Sequence, residues 1–314
     1  MDTSDAALTK AIDDAADRLE EMIRTTPVMR LERGAFNSDA RCTLKLEHLQ
    51  HSGSFKARGA INSLLTSAVP PAGVVAASGG NHGAAVAYAA MTLGIPAEIF
   101  VPTIASAIKV ERLRSYGAVV HQTGSEFQES LDACSQRASE TGAISIHAYD
   151  QPSTVIGQGT VGREFESQAP ELETLLVAVG GGGLIGGIAG WYQGRVKIVA
   201  VETEGTSTLN SARRAGEPVD IAVSGVAADA LGARRIGNLG FELSERYVGE
   251  SVLVTDDAVR EARDCLWSDL RLITEPAAAS VVAALISGAY VPAPNEHVGL
   301  LICGGNANIQ DLVR

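Results

Sequence analysis

Residues 51–59 read HSGSFKARG and lie between an apolar segment, 43–47, and a run of helical character, 57–66. This order predicts a strand that ends, a turn on a glycine between two serines, and a helix with Lys56 in its first turn. A helix start disfavours an ammonium group, so we expect a lowered pKa for Lys56, as a Schiff-base nucleophile requires. A solvated lysine near a helix start is the alternative, and this stretch alone does not exclude it.

The composition bounds the class of protein. The chain has 314 residues, a net charge of −12, and 46% hydrophobic but only 4% aromatic residues, which is typical of an α/β core. The acidic balance argues against a nucleic-acid partner. No apolar run approaches the ~20 residues of a membrane helix, and residues 1–5 do not resemble a signal peptide. The four cysteines show neither close pairing nor metal spacing, so we expect a reduced, cytoplasmic protein without a membrane partner.

The order of strand and helix patterns predicts the architecture. From residue 74 strand patterns alternate with helix patterns, which indicates parallel sheets with right-handed crossovers. Residues 70–73 (PPAG) and 149–152 (YDQP) carry turn residues where the chain would cross between domains. We therefore expect a small α/β domain over 70–147, and a larger, discontinuous domain with a parallel sheet over 1–69 and 148–314.

A run of four glycines forms the first candidate binding site: Gly180, Gly181, Gly182 and Gly183. It follows an apolar strand and opens a helix, so its amides could close around an anion at the positive helix end, as a phosphate cup. A dinucleotide site is the rival, because residues 181–186 also satisfy G-x-G-x-x-G and Glu202 ends the next strand, where a ribose-binding acid belongs. From this segment alone both alternatives stay open.

The second candidate site is the loop after the strand at 74–77, which consists of Ser78, Gly79, Gly80, Asn81 and His82. Such a loop lies at the carboxyl edge of a parallel sheet, where α/β proteins bind ligands, and its amides could hold a carboxylate. Asn81 offers both a donor and an acceptor to a ring hydroxyl, whereas His82 could equally cap or pack. Residues 303–306 (CGGN) are by themselves a weak signal, a glycine turn beside a buried cysteine.

In their order along the chain, the lysine turn, the asparagine loop, the glycine run and the CGGN turn resemble a known family. The chain is similar to fold-type II pyridoxal-phosphate enzymes, which have the tryptophan synthase β-like fold, and within them to the group of threonine and serine dehydratases and serine racemases. Residues 26–28 (TPV), 157–160 (GQGT) and 275–276 (EP) belong to the same match, which covers nearly the whole chain. The resemblance implies a two-domain α/β fold and pyridoxal 5'-phosphate as the cofactor.

The resemblance also implies roles for individual residues. Lys56 is the catalytic lysine and binds the cofactor as a Schiff base, Phe55 packs beside the cofactor ring, and Asn81 binds the ring hydroxyl. Cys303 meets the pyridine nitrogen, and Glu275 belongs to the cofactor pocket. Residues 180–183 hold the phosphate, and residues 78–82 hold the carboxylate of a small amino-acid substrate.

Within the family, the type of reaction is indicated by two positions of the asparagine loop. His82 favours elimination, because cysteine-forming sulfhydrylases usually carry threonine there. Gly79 stands where serine racemases usually carry the serine that protonates the second face of the substrate. We expect conversion of L-threonine or L-serine to a 2-oxo acid and ammonia. A serine racemase or hydroxyaspartate ammonia-lyase on the same cofactor, and an NAD-binding oxidoreductase from another class, are the alternatives.

The expectation for a metal differs from the family pattern. Serine racemases bind a divalent ion with a glutamate and, six residues on, an aspartate. This chain has Glu202 but carries Thr208 at the second position. Since one hard anionic ligand is missing, we expect a metal site at Glu202 to be weak. We also expect a homodimer, an expectation that no motif of the sequence tests.

Overall fold

The computed structural model describes residues 4–307 of the chain. The strands in this part are numbered in chain order: β1 Val28–Arg30, β2 Arg41–Lys45, β3 Val74–Ala77, β4 Ala97–Val101, β5 Val119–Gln122, β6 Ile144–Ser145, β7 Thr174–Ala178, β8 Lys197–Thr203, β9 Val248–Val254 and β10 His297–Leu301. They form a six-stranded sheet in the order β1-β2-β10-β7-β8-β9 and a four-stranded sheet in the order β5-β4-β3-β6.

The helices surround these two sheets. In chain order they are α1 Asp5–Leu19, α2 Lys56–Leu65, α3 Asn81–Leu93, α4 Ala107–Ser115, α5 Phe127–Thr141, α6 Pro152–Gln168, α7 Gly183–Tyr192, α8 Thr208–Ala215, α9 Asn238–Tyr247, α10 Asp256–Leu270 and α11 Pro276–Ile286. Among the helices within residues 4–307, none combines the length and the apolar character that a bilayer crossing requires.

The α/β class and the parallel sheets expected from the sequence are confirmed. Neighbouring strands pair in parallel except at one edge, where β1 runs antiparallel to β2. All strands of the smaller sheet lie between residues 74 and 145, and the larger sheet takes strands from both sides of that segment. This arrangement supports a division of the chain near residues 70 and 147, and the domain limits themselves stay a prediction.

The core explains where the loops of interest lie. Small and medium apolar side chains fill it, and α7 and α11 are buried almost throughout their length. Because β3, β7 and β10 are parallel strands, their carboxyl ends deliver the loops that follow them to sheet edges, which is where α/β proteins place ligands. These three loops are the asparagine loop, the glycine run and the CGGN turn.

The segment before Lys56 differs from the predicted strand at 43–47. β2 already ends at Lys45, and Glu47 begins a short 3-10 turn, Glu47–Leu49. Glu47 instead takes part in an ion pair: its buried carboxylate accepts hydrogen bonds of 2.9 and 2.7 Å from Arg58. Arg58 also donates to Glu164 of α6 at 2.8 Å. The network therefore ties the helix that begins at Lys56 to α6.

Candidate active site

The lysine turn places Lys56 as the first residue of α2. Its Nζ donates a 2.8 Å hydrogen bond to the carbonyl oxygen of Ala148 and lies 5.2 Å from the centroid of the Phe55 ring. Burial lowers the pKa of Lys56 to about 8, while the proximity of Cys303 and Glu275 acts in the opposite direction. The lowered pKa agrees with the expectation, and burial is its largest cause.

Cys303 lies directly beside the lysine turn. The main-chain N–H of Phe55 donates to the carbonyl oxygen of Cys303 at 3.1 Å, and Ser54 pairs with Gly304 in an antiparallel bridge. The thiol is buried, and this burial raises its pKa well above the ordinary value. Cys303 is therefore a neutral group at the edge of the lysine site.

Asn81 and Glu275 form the next part of the site. The Nδ2 atom of Asn81, the first residue of α3, donates to both carboxylate oxygens of Glu275, at 2.8 and 2.9 Å. Burial raises the pKa of Glu275 to about 7, and the hydrogen bond from Asn81 opposes the shift. Glu275 reaches this position as the residue before α11, where Pro276 opens the helix.

The glycine run forms a cradle at the start of α7. Gly182 has φ +86°, in the left-handed region that favours glycine, and a β-carbon at Gly181 would lie 2.2 Å from Cδ1 of Tyr149. Tyr149 follows Ala148, so one short segment touches both the lysine amine and the cradle. A bare, electropositive helix start of this kind suits a phosphate group.

Taken together, these residues fit a phosphorylated pyridine cofactor. The structure brings Phe55, Lys56 and Cys303 together, joins Asn81 to Glu275, and links the lysine to the glycine cradle through residues 148–149. The individual contacts of each residue with the cofactor stay predictions.

The asparagine loop has the predicted position after β3, but His82 is fixed by packing. Its Nε2 lies 2.8 Å from the carbonyl oxygen of Ile146 and is buried there. Burial lowers the pKa of His82 to about 3, so the imidazole is neutral at ordinary pH. Ser78 accepts a 3.2 Å hydrogen bond from the N–H of Gly80. The main-chain N–H groups of the first turn of α3 have no partner within the helix and are the natural carboxylate donors.

Glu202 holds a helix start in this structure. Its carboxylate accepts hydrogen bonds from the N–H groups of Leu209 and Asn210, at 2.7 and 2.8 Å. The hydroxyl of Thr208 lies 3.1 Å from the same carboxylate and 2.6 Å from the carbonyl oxygen of Gly180, which is its closer acceptor. Burial raises the pKa of Glu202 to about 7. Within residues 4–307, no group of three His, Cys, Asp or Glu side chains is arranged to hold a metal ion. The weak metal site at Glu202 therefore stays a prediction.

Two parts of the site's surroundings escaped the sequence analysis. The connection 216–237 reaches the glycine run, where the N–H of Gly237 donates to the carbonyl oxygen of Gly181 at 3.0 Å. Arg112 of α4 contacts Asn306 of the CGGN turn, and Asn306 in turn contacts Asn81. The asparagine that ends CGGN was a visible signal, whereas nothing in the pattern of α4 distinguishes Arg112 from its neighbours.

Comparisons with known proteins identify the family of this chain. Residues 19–304 match the family described as "Pyridoxal-phosphate dependent enzyme". Among curated proteins, a phenylserine dehydratase from Ralstonia pickettii is 36% identical, with 100% of this chain and 98% of the relative covered. An L-threonine ammonia-lyase from Thermotoga maritima is also 36% identical, with coverages of 86% and 68%. Among solved structures, maize serine racemase superposes with a TM-score of 0.91 at 31% identity, covering 97% of this chain and 95% of that one.

Proposed function

The chain belongs to the family of pyridoxal-phosphate dependent enzymes, and we propose that it converts L-threonine or L-serine into a 2-oxo acid and ammonia. Its cofactor is pyridoxal 5'-phosphate, and it is an ammonia-lyase of the dehydratase type, like the two curated relatives described above. The observation that carries the proposal is the amine of Lys56, with a pKa of about 8, held between Cys303 and the segment that touches the glycine cradle.

Lys56 and Cys303 have different roles in the reaction. When bound, the cofactor withdraws electrons from the α-carbon of an amino acid and so acidifies its α-proton. The amine of Lys56 removes that proton, and its pKa of about 8 leaves a useful fraction unprotonated near neutral pH. A positioned general base of this kind contributes roughly 10²–10⁴ in rate. The neutral thiol of Cys303 would face the pyridine nitrogen without the negative charge that stabilises its protonated form.

Binding of the substrate falls to the asparagine loop. We propose that the N–H groups at the start of α3 hold the carboxylate of the amino acid, while Asn81 and Glu275 hold the ring-hydroxyl side of the cofactor. Gly180, Gly181, Gly182 and Gly183 would hold its phosphate at the start of α7. His82 supports the loop through a hydrogen bond to the carbonyl oxygen of Ile146 rather than by carrying charge.

One position, Gly79, determines how we rank the alternative reactions. The similarity to maize serine racemase favours racemisation as the second candidate. Racemisation requires an acid on the face of the substrate opposite Lys56, and Gly79 has no side chain to provide it. A hydroxyaspartate ammonia-lyase differs only in its substrate. The NAD-binding alternative is set aside by the family match over 19–304.

The test is a product analysis of the holoenzyme. We would incubate it with L-threonine, L-serine, 3-hydroxyaspartate and 3-phenylserine, and quantify 2-oxo acid, ammonia and D-serine. We expect 2-oxo acid and ammonia in equal amounts from L-threonine or L-serine, and no turnover by Lys56→Ala. D-serine in excess over pyruvate would overturn the dehydratase assignment, and turnover of 3-phenylserine alone would move the substrate to the aromatic class.

We also propose a cytoplasmic homodimer. The four cysteines, Cys42, Cys134, Cys265 and Cys303, are all free thiols, which supports a reducing compartment. Light scattering of the purified protein measures the assembly directly, and a mass of one chain would contradict the dimer.

A further inference from the structure

Arg112 joins α4 to the lysine turn and to the last loop of the chain. Its Nη1 lies 2.5 Å from Oδ1 of Asn306, and its Nη2 lies 2.6 Å from the carbonyl oxygen of Ser52. Gly53 leaves room for this contact: a β-carbon there would lie 2.2 Å from Oδ1 of Asn306 and 3.2 Å from Nη2 of Arg112. Gly53 therefore has two roles: it leaves space for the Arg112–Asn306 pair, and its φ of +70° allows the turn of the main chain.

These contacts fix which way two amide groups point. A guanidinium can only donate and a main-chain carbonyl can only accept, so Asn306 must turn Oδ1 toward Arg112 and Nδ2 toward Ser52. The same Nδ2 lies 2.9 Å from the carbonyl oxygen of Ser52 and 2.6 Å from Oδ1 of Asn81. Asn81 must then direct its own Nδ2 away from Asn306, toward Glu275.

We propose that Arg112 is a positioning residue that, through Asn306, holds the amide of Asn81 with its two N–H donors toward Glu275 and the ring oxygen of the cofactor. The inference rests on the proposed cofactor pocket and not on which substrate is used. Without the Arg112–Asn306 contact, Asn306 keeps its hydrogen bond to Ser52 and Asn81 keeps its hydrogen bonds to Glu275, so both amides retain their direction but Asn306 is held by one contact fewer. The donor that Asn306 offers to Asn81 is then placed less firmly, and so is the donor that Asn81 offers to the ring oxygen of the cofactor.

The consequence is a change in the bound cofactor itself. Donation from Asn81 stabilises the ionised ring oxygen, so its loss raises the pKa of that oxygen and favours the protonated, shorter-wavelength form of the cofactor. It also weakens cofactor binding by about tenfold, the equivalent of one hydrogen bond to a charged group. A residue that merely tied α4 to the large sheet would lower the melting temperature and leave the cofactor titration unchanged.

The first experiment compares Arg112→Met with Arg114→Met. Arg114 lies on the same helix, carries the same charge and is exposed, so its replacement controls for the loss of a cation from α4. We would titrate the absorption spectrum of the bound cofactor with pH and measure the dissociation constant of pyridoxal 5'-phosphate, both without substrate. We expect Arg112→Met to shift the titration to higher pH and weaken binding about tenfold, and Arg114→Met to match the unmodified protein.

The second experiment uses Asn306→Leu, which removes the donor to Asn81 without changing the charge of the site and leaves Arg112 its contact with the carbonyl oxygen of Ser52. A tethering role, or a direct effect of the Arg112 charge, predicts a normal cofactor titration for this variant, whereas the positioning role predicts a shift in the same direction as Arg112→Met. The double variant should be no worse than Arg112→Met alone, because both changes remove the same interaction with Asn81. An unshifted titration in folded Asn306→Leu would overturn the inference, and if Arg112→Met does not fold, Asn306→Leu decides alone. Since no turnover is measured, a wrong substrate assignment leaves these outcomes unaffected.

Discussion

The main-chain N–H of Phe55 donates to the carbonyl oxygen of Cys303 at 3.1 Å, so the residue before the lysine and the start of the last glycine turn are held in register. These two residues are 248 positions apart in a chain of 314 residues. Their contact places a neutral thiol beside the lysine that begins α2. The chemistry of the site depends on that neutrality.

Replacing Cys303 should change the reaction more than the fold. Cys303→Ser keeps a neutral hydrogen-bonding group, so we expect 2-oxo acid formation within about tenfold of the unmodified enzyme, the value of one hydrogen bond. Cys303→Asp should favour a protonated ring nitrogen and divert turnover toward side reactions such as transamination. The measurement is the ratio of pyridoxamine phosphate to 2-oxo acid. An inactive Ser variant with normal folding and absorption would refute the assignment of Cys303 to the ring nitrogen.

The lysine itself should titrate far below an ordinary one. An amine attacks a carbonyl only when unprotonated, and burial lowers the pKa of Lys56 from 10.5 to about 8. We expect the rate at which the apoenzyme takes up pyridoxal 5'-phosphate to rise with pH through a midpoint of about 8. Borohydride reduction should then fix the cofactor mass on the peptide that contains Lys56. A midpoint near that of free lysine, or labelling elsewhere, would contradict this.

Gly79 should accept a side chain. Its φ is not positive, and a β-carbon would meet Val101 Cγ1 at 3.5 Å, an ordinary van der Waals distance. Gly79→Ser should therefore fold, and it should gain measurable conversion of L-serine to D-serine at some expense of elimination. Chiral chromatography of both products measures the ratio. A variant that is only less stable, with no D-serine, would show that this loop position does not face the substrate.

The buried ion pair between Glu47 and Arg58 should contribute strongly to stability. Glu47→Gln leaves the fully buried guanidinium of Arg58 with Glu164 as its one remaining ionic partner within residues 4–307. We expect a loss of about 3 kcal/mol in the free energy of unfolding, at the lower end for a broken buried pair. Glu250→Gln is the control, since it breaks an exposed pair with Lys197 and should cost about 0–1 kcal/mol. Urea unfolding of both apoenzymes measures the difference, and equal losses would contradict the buried network.

The metal expectation can be tested by restoring the missing ligand. Thr208→Asp replaces a hydroxyl that lies between Glu202 and the carbonyl oxygen of Gly180 with a second buried carboxylate, so repulsion should lower the melting temperature in the presence of a chelator. Calcium should reverse the loss, by about 2.7 kcal/mol at a hundred times its dissociation constant. The unmodified protein should show little response to either. A large loss of stability or activity of the unmodified enzyme on chelation would place a metal where we expect only a weak site.

The sequence by itself determined the features that depend on neighbouring residues. Alternating strand and helix patterns predicted the parallel sheets, and the glycine run predicted a bare helix start, because both are set by local backbone preferences and apolar periodicity. Lys56 was expected in the first turn of a helix, and it is the first residue of α2. The limits of strands were less certain, since β2 ends early where Glu47 meets Arg58.

Only the tertiary structure decided how distant groups meet. Arg112 and Asn306 are 194 positions apart, and Asn81 and Asn306 are 225 apart. No local sequence pattern can therefore show that Arg112 positions Asn306 or that Asn306 positions Asn81. The lowered pKa of Lys56 follows chiefly from burial, which is a property of the whole packed molecule and cannot be read from the sequence of the turn. Local backbone preferences depend on adjacent residues, whereas burial and amide orientation arise only when the two sheets and their loops have packed around the site.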